Sequence, residues 1–79
     1  MLKIKILSAL GTILEDEIQA AFIPSVMGEF EVLPHHAPLI SILCEGDVKI
    51  RQKDGEEEKF HIHSGIARVE NDTITVSVE

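Results

Sequence analysis

His61 and His63, separated by a single residue, are the pair in this chain best spaced to hold a metal ion. On a β-strand both rings would project to the same face, which is half of a two-histidine site for a transition metal. A third ligand is needed to complete it. A cupin-like pattern would place an acid shortly after the second histidine, but Ala67 and Arg68 stand there, Glu70 is further on and Cys44 is distant. The expectation is therefore two polar residues on the outer face of a strand and no metal site. His35 and His36 are adjacent, so in extended backbone their rings would point opposite ways and could not chelate together. Nucleophilic catalysis requires a Ser or Cys activated by a His that a third group orients. Ser41, Ser64 and Cys44 are present, but no nucleophile elbow, paired carboxylates or phosphate-binding glycine loop accompanies them. With neither tyrosine nor tryptophan, a deep substrate pocket would be hard to line. No catalytic residue, cofactor or metal is expected.

The elements that carry these residues are strands. Leu2, Ile4 and Ile6 alternate with Lys3 and Lys5, and Phe30 and Val32 with Glu29 and Glu31. The same period of two holds for Val48 and Ile50, for Phe60 and Ile62, and for Ile74, Val76 and Val78. Alternation of this kind marks strands buried on one face. The stretch from Ile13 to Phe22 also fits a helix face; it reads here as two short strands on either side of Glu15-Asp16-Glu17. Parity sets two hairpins. A two-residue loop at Asn71-Asp72 opposes Glu70 to Thr73, Val69 to Ile74 and Ala67 to Val76, so that apolar meets apolar. A three-residue loop at Lys53-Asp54-Gly55 opposes Val48 to Phe60, with Gly55 in the left-handed position. Five glycines and three prolines punctuate the chain. Short antiparallel strands at that spacing predict an all-β fold, a compact antiparallel β-sandwich of about ten short strands, with residues 1–79 as one domain.

The 14 acidic residues against 7 basic give a formal net charge of −7, which excludes nucleic acid as a partner, because phosphate contacts need a Lys/Arg surface. The same balance argues against unaided docking on an anionic lipid surface. MLKIKIL alternates where a signal peptide needs an unbroken apolar core, and no apolar run spans a membrane, so direct lipid insertion is not expected. One cysteine allows no internal disulfide. The segment from Gly28 to Leu43, GEFEVLPHHAPLISIL, carries Pro34 and Pro38, which fix φ and remove two backbone donors. It reads as a stiff, exposed corner that suits protein recognition, since a rigid loop loses little entropy on docking, and equally as a plain rigid link between the two sheets.

GEFEVLPHHAPL resembles the G-E-…-P-x-H-A-P-L motif of the epsilon subunit of F-type ATP synthase, and HSGIARVENDTITV resembles a later segment of the same family. Glu31, Ser64 and Arg68 replace two glycines and an acid of that pattern. The resemblance implies the family's N-terminal β-sandwich. It also implies a non-catalytic rotor subunit of the central stalk, coupling proton-driven rotation to ATP synthesis. The partners implied are the gamma subunit, through Ser8, Ile13, His36, Ala37 and Pro38, and the c ring, through Gly28 and Glu29. The location implied is peripheral, on the cytoplasmic face of the bacterial plasma membrane. Members of the family continue into an inhibitory helical hairpin, which a chain ending at Glu79 would lack. Two other readings fit the residues alone: a small His-based metal-binding β-barrel, and an acidic β-sandwich adaptor for an unrelated partner.

Overall fold

The computed structural model describes residues 1–79. Eight strands follow one another with short turns: β1 (Leu2–Ser8), β2 (Gly11–Ser25), β3 (Gly28–Val32), β4 (Leu39–Leu43), β5 (Gly46–Gln52), β6 (Glu57–Ile62), β7 (Gly65–Glu70) and β8 (Thr73–Val78). There is no helix. The count is eight rather than about ten because the stretch expected to be two strands is the single fifteen-residue β2. Its acidic run does not break it. Glu15 stands opposite Lys5 and Glu17 opposite Lys3, so these two acids form charged rungs on the β1 ladder, while Asp16 stands opposite Ile4. Lys3 Nζ lies 3.6 Å from Glu15 Oε2, and Lys53 Nζ lies 3.2 Å from Glu17 Oε1. Opposite charges across a ladder favour pairing.

β2 is the hinge of the architecture. Its first half pairs with β1, and from Ile18 onward it pairs with β5 and then β3. Two irregularities accompany the change: Ile13 is skipped between the Ile6–Leu14 and Leu7–Thr12 pairs, and Gln19 between Ile18–Gln52 and Ala20–Arg51. Bulges bend a strand and increase its twist, which lets one strand serve two layers. One layer is therefore β4-β7-β8-β1 with the start of β2. The other is β3, the end of β2, β5 and β6. A single pair, Ser25 with Leu43, joins β2 to β4 and closes the circuit of strands. One pairing departs from the antiparallel expectation: β1 and β8 run parallel, Ile4 beside Ile74 and Ile6 beside Val76.

Between the layers lies one core of fifteen buried apolar residues, including Ile4 and Ile6 of β1, Ile23 of β2, Val48 and Ile50 of β5, and Ile74 and Val76 of β8. These are the inward members of the alternating sets. No buried side-chain nitrogen or oxygen lacks a hydrogen-bond partner, so the interior carries no unmet polar cost. The predicted hairpins are present in register. Glu70 faces Thr73, and Asn71 and Asp72 take φ of 52° and 56°, the left-handed values a two-residue hairpin turn requires. Val48 faces Phe60, and Gly55 N–H closes the loop onto Gln52 O at 2.9 Å with φ of 89°.

Candidate functional site

The proline-bounded corner links β3 to β4, passing from one layer to the other. Pro34 and Pro38 keep it out of any ladder, and Leu33, Pro34, His35, Ala37 and Pro38 are exposed while His36 is half-buried. The corner is not extended throughout: His35 has φ of 68°, a left-handed residue, because the chain must reverse there. His36 N–H donates to Leu33 O at 3.2 Å and closes that turn. A second tie holds it from outside. His35 N–H donates to Asp72 Oδ1 at 2.6 Å, and His35 Nδ1 lies 3.6 Å from Asp72 Oδ2. The β7–β8 hairpin turn thus braces the corner. His36 Nδ1–H donates to Ala37 O at 2.7 Å, which fixes the ring over its own backbone and leaves Nε2 free to accept.

The corner continues into an apolar surface. Ile40 and Ile42 of β4 and Ile66 of β7 point away from the core, with exposures of 68%, 63% and 51%. Ile42 and Ile66 are cross-strand partners, and Ile40 is opposite Arg68. A shallow depression lined by Pro38, Leu39, Ile40, Arg68, Val69 and Glu70 meets another lined by Ile40, Ile66, Arg68, Thr75 and Ser77. Ile40 and Arg68 belong to both, so corner and sheet face form one continuous surface. Clustered exposed isoleucines on a rigid sheet are the usual mark of a contact surface, whereas lone ones are not. The sequence does not mark Ile40 and Ile42, because LISIL is apolar at every position but one and its outward members look like its inward ones.

Ser8 and Ile13 are not beside the histidine corner. β1 runs parallel to β8 with Lys3 beside Thr73 and Leu7 beside Ser77, and Lys3 N–H bonds Asp72 O. The corner, braced by Asp72, therefore lies at the start of β1, and Ser8 at its far end. Ser8 Oγ accepts from Leu10 N–H at 3.2 Å and shapes the β1–β2 turn, whose Leu10 is fully exposed. Ile13 is the skipped residue in β2, 44% exposed. The outer face of β4-β7-β8-β1 extends from the one end to the other.

Gly28 and Glu29 are the first residues of β3 rather than loop residues. They pair with Ser25 and Pro24. The loop itself is Val26-Met27, with Met27 91% exposed. Ser25 Oγ locks the tip, donating to Gly28 O at 2.6 Å and accepting from Met27 N–H at 3.1 Å. Glu29 Oε2 lies 3.4 Å from Lys49 Nζ, an exposed pair.

His61 and His63 do meet a third ligand type, from across the layer. The β5–β6 register sets Asp47 opposite His61, and Glu45 lies in the turn before β5. His61 Nδ1–H donates to Asp47 Oδ1 at 2.8 Å, and its Nε2 lies 3.3 Å from Glu45 Oε2. His63 Nδ1 lies 3.6 Å from the same oxygen. Hydrogen bonding to Asp47, and then to Glu45, raises the His61 pKa above its usual 6.5 against a small opposing effect of desolvation. Asp47 was legible in sequence: the parity that opposes Val48 to Phe60 opposes Asp47 to His61. Extended one step past the Gly46–Ile62 pair, the same parity opposes Glu45 to His63. The ring partners are carboxylates, with no serine, threonine or cysteine hydrogen-bonded to either ring. Cys44 is exposed, its Sγ 3.5 Å from Ser25 O.

A family model described as "ATP synthase, Delta/Epsilon chain, beta-sandwich domain" matches residues 1–79. Among curated relatives, the ATP synthase epsilon chain of Sulfurovum sp. (strain NBC37-1) is 35% identical over 79 residues, covering 100% of this chain and 62% of that one. The ATP synthase epsilon chain of Geobacter sp. (strain M21) is 37% identical over 78 residues, covering 99% of this chain and 56% of that one. The chain thus spans a little over half the length of these relatives. In solved structures, a chain of the Euglena gracilis mitochondrial ATP synthase (OSCP/F1/c-ring) superposes with a TM-score of 0.90 at 22% identity, covering 98% of this chain and 49% of that one. A chain of the Tetrahymena thermophila mitochondrial ATP synthase central stalk/c-ring gives 0.80 at 14% identity, over 98% of this chain and 62% of that one. At those identities the likeness is one of fold.

Proposed function

This chain belongs to the ATP synthase delta/epsilon β-sandwich family, and from that premise we propose that it is a non-catalytic subunit of the rotary ATP synthase, docking on the gamma subunit and resting on the c ring at the cytoplasmic face of the membrane. The observation that carries the gamma reading is the cluster of exposed isoleucines, Ile40, Ile42 and Ile66, continuous with Pro38 at the histidine corner. His36, Ala37 and Pro38 form the stiff rim of that surface, and Ser8 and Ile13 mark its other end. Covering the half to two-thirds of each isoleucine that is still exposed contributes about 1–2 kcal/mol apiece, enough to make them the anchors of an interface with a polar margin. The hairpin tip, Met27 with Gly28 and Glu29, is the element offered to the c ring. Exposed Met27 supplies apolar contact and Glu29 a charge that steers association more than it strengthens it.

The mechanical requirement is stiffness. A subunit that passes torque between two partners must not deform more easily than its interfaces, and here one sealed core and a closed circuit of strands resist shear. No chemistry is asked of it. Co-purification with gamma tests the assignment: Ile40→Asp with Ile66→Asp abolishes capture of gamma while the domain stays folded, and Ala37→Glu weakens it. Full retention of gamma by the double variant refutes the docking surface.

A further inference from the structure

We propose that Glu45, His61 and His63 form a binding site for one zinc-class divalent ion, with Asp47 orienting His61. It is independent of the docking reading, because it lies on the β5–β6 layer and rests on this chain's own side chains. One oxygen, Glu45 Oε2, stands 3.3 Å from His61 Nε2 and 3.6 Å from His63 Nδ1. Two ligands of a tetrahedral zinc, each about 2.0–2.1 Å from the metal, lie roughly 3.3–3.4 Å apart. Both observed separations are close to that edge length. All three donor atoms fall within 4.8 Å of one another, so the remaining edge closes by a modest rotation of His63, whose side chain is 78% exposed and free to turn. The two imidazole planes meet at 89°, so the rings approach without stacking.

The arrangement around His61 is what separates this cluster from chance neighbours. Metal-bound histidines donate their other ring N–H to a carboxylate, which fixes the tautomer and orients the ring. Asp47 Oδ1 accepts from His61 Nδ1–H at 2.8 Å, which leaves the Nε2 lone pair for the metal on the Glu45 side. An ion there displaces the proton that otherwise joins Nε2 to Glu45. Two imidazoles select borderline cations over calcium or magnesium, which prefer all-oxygen shells. The fourth position opens to solvent and takes water. The chain's net charge of −7 adds long-range attraction for a cation. Bound metal ties the turn before β5 to the bend after β6, just beyond the Gly46–Ile62 pair.

Calorimetric titration of the tag-free chain with zinc chloride, and with magnesium chloride as control, tests the proposal. One equivalent of zinc binds and magnesium does not. Glu45→Gln and His63→Ala, both at exposed positions, each weaken zinc by about tenfold or more, and Asp47→Asn weakens it by about 10–100-fold. Ring nitrogen NMR then shows zinc on His61 Nε2 and on His63 Nδ1, and thermal melts rise with zinc concentration in the wild type only. Absence of binding at excess zinc overturns the site. So does binding that survives Glu45→Gln and His63→Ala together, or that disappears instead with Cys44→Ser or His35→Ala.

Discussion

Replacing Gly65 by alanine tests how tightly the two outer ladders of β7 constrain the layer. Gly65 pairs with Leu43 on one side and Val78 on the other. A Cβ built there falls against the Ser77 carbonyl oxygen well inside contact distance, with Ser77 C at 3.3 Å and Val78 Cα at 3.4 Å. All three are backbone atoms of β8, which cannot rotate aside as a side chain could. The added methyl must displace the strand or distort β7, and overpacking of this kind costs about 1–3 kcal/mol. At about 0.05–0.15 kcal/mol per residue, a 79-residue domain holds roughly 4–12 kcal/mol in all. The substitution thus removes a large share of the stability. With about 4–8 °C lost per kcal/mol in a domain of this size, the Tm falls by roughly 4–24 °C. Far-UV circular dichroism melts read it directly. The mechanism has a signature that separates it from backbone strain. At Gly55 a Cβ meets nothing, but φ is 89°, so Gly55→Ala costs about 1–2 kcal/mol through conformation alone and Gly55→Asn restores most of it. Gly65→Asn must be worse than Gly65→Ala, since extra atoms aggravate a clash. A Gly65→Ala domain that melts with the wild type refutes the reasoning.

Ile74, fully buried beside Ile4, loses about 2–5 kcal/mol on truncation to alanine, seen as a lower urea midpoint with unchanged slope. Asp72→Ala removes the acceptor of the His35 N–H and puts alanine at φ of 56°. It lowers stability by about 1–2 kcal/mol and speeds hydrogen exchange at the His35 amide. In metal-free protein the His61 imidazole titrates above 6.5. The folded form binds that proton more tightly than the unfolded chain, so the stabilisation is fully present below about pH 6.5 and is lost as pH rises through the folded value. Asp47→Asn removes the largest cause, brings the titration down in an NMR series, and flattens stability against pH in that window.

The alternation of apolar residues told which face each strand buries, and hairpin parity told which neighbours pair, as with Val69–Ile74 and Val48–Phe60. Such rules reach only across a tight turn. The parallel pairing of β1 with β8 joins the two ends of the chain, and no local pattern encodes it. The charges of Glu15 and Glu17 imitated a break because their lysine partners sit on another strand. Adjacent His35 and His36 read as extended backbone, yet His35 has φ of 68° and its N–H is tied to Asp72, far along the chain. Of the surface proposed for gamma, Pro38 is marked in the sequence, whereas Ile40, Ile42 and Ile66 are not, because their exposure is a property of the layer and not of the residue.

The central claim, that the outer face of β4 and β7 is the grip on gamma, is tested most directly by isoleucine-methyl NMR of the domain with and without purified gamma. The account requires the Ile40, Ile42 and Ile66 methyl signals to shift or broaden while those of buried Ile4 and Ile74 keep their positions at low gamma. Perturbation confined to other isoleucines, with these three unmoved in a complex that forms, contradicts it.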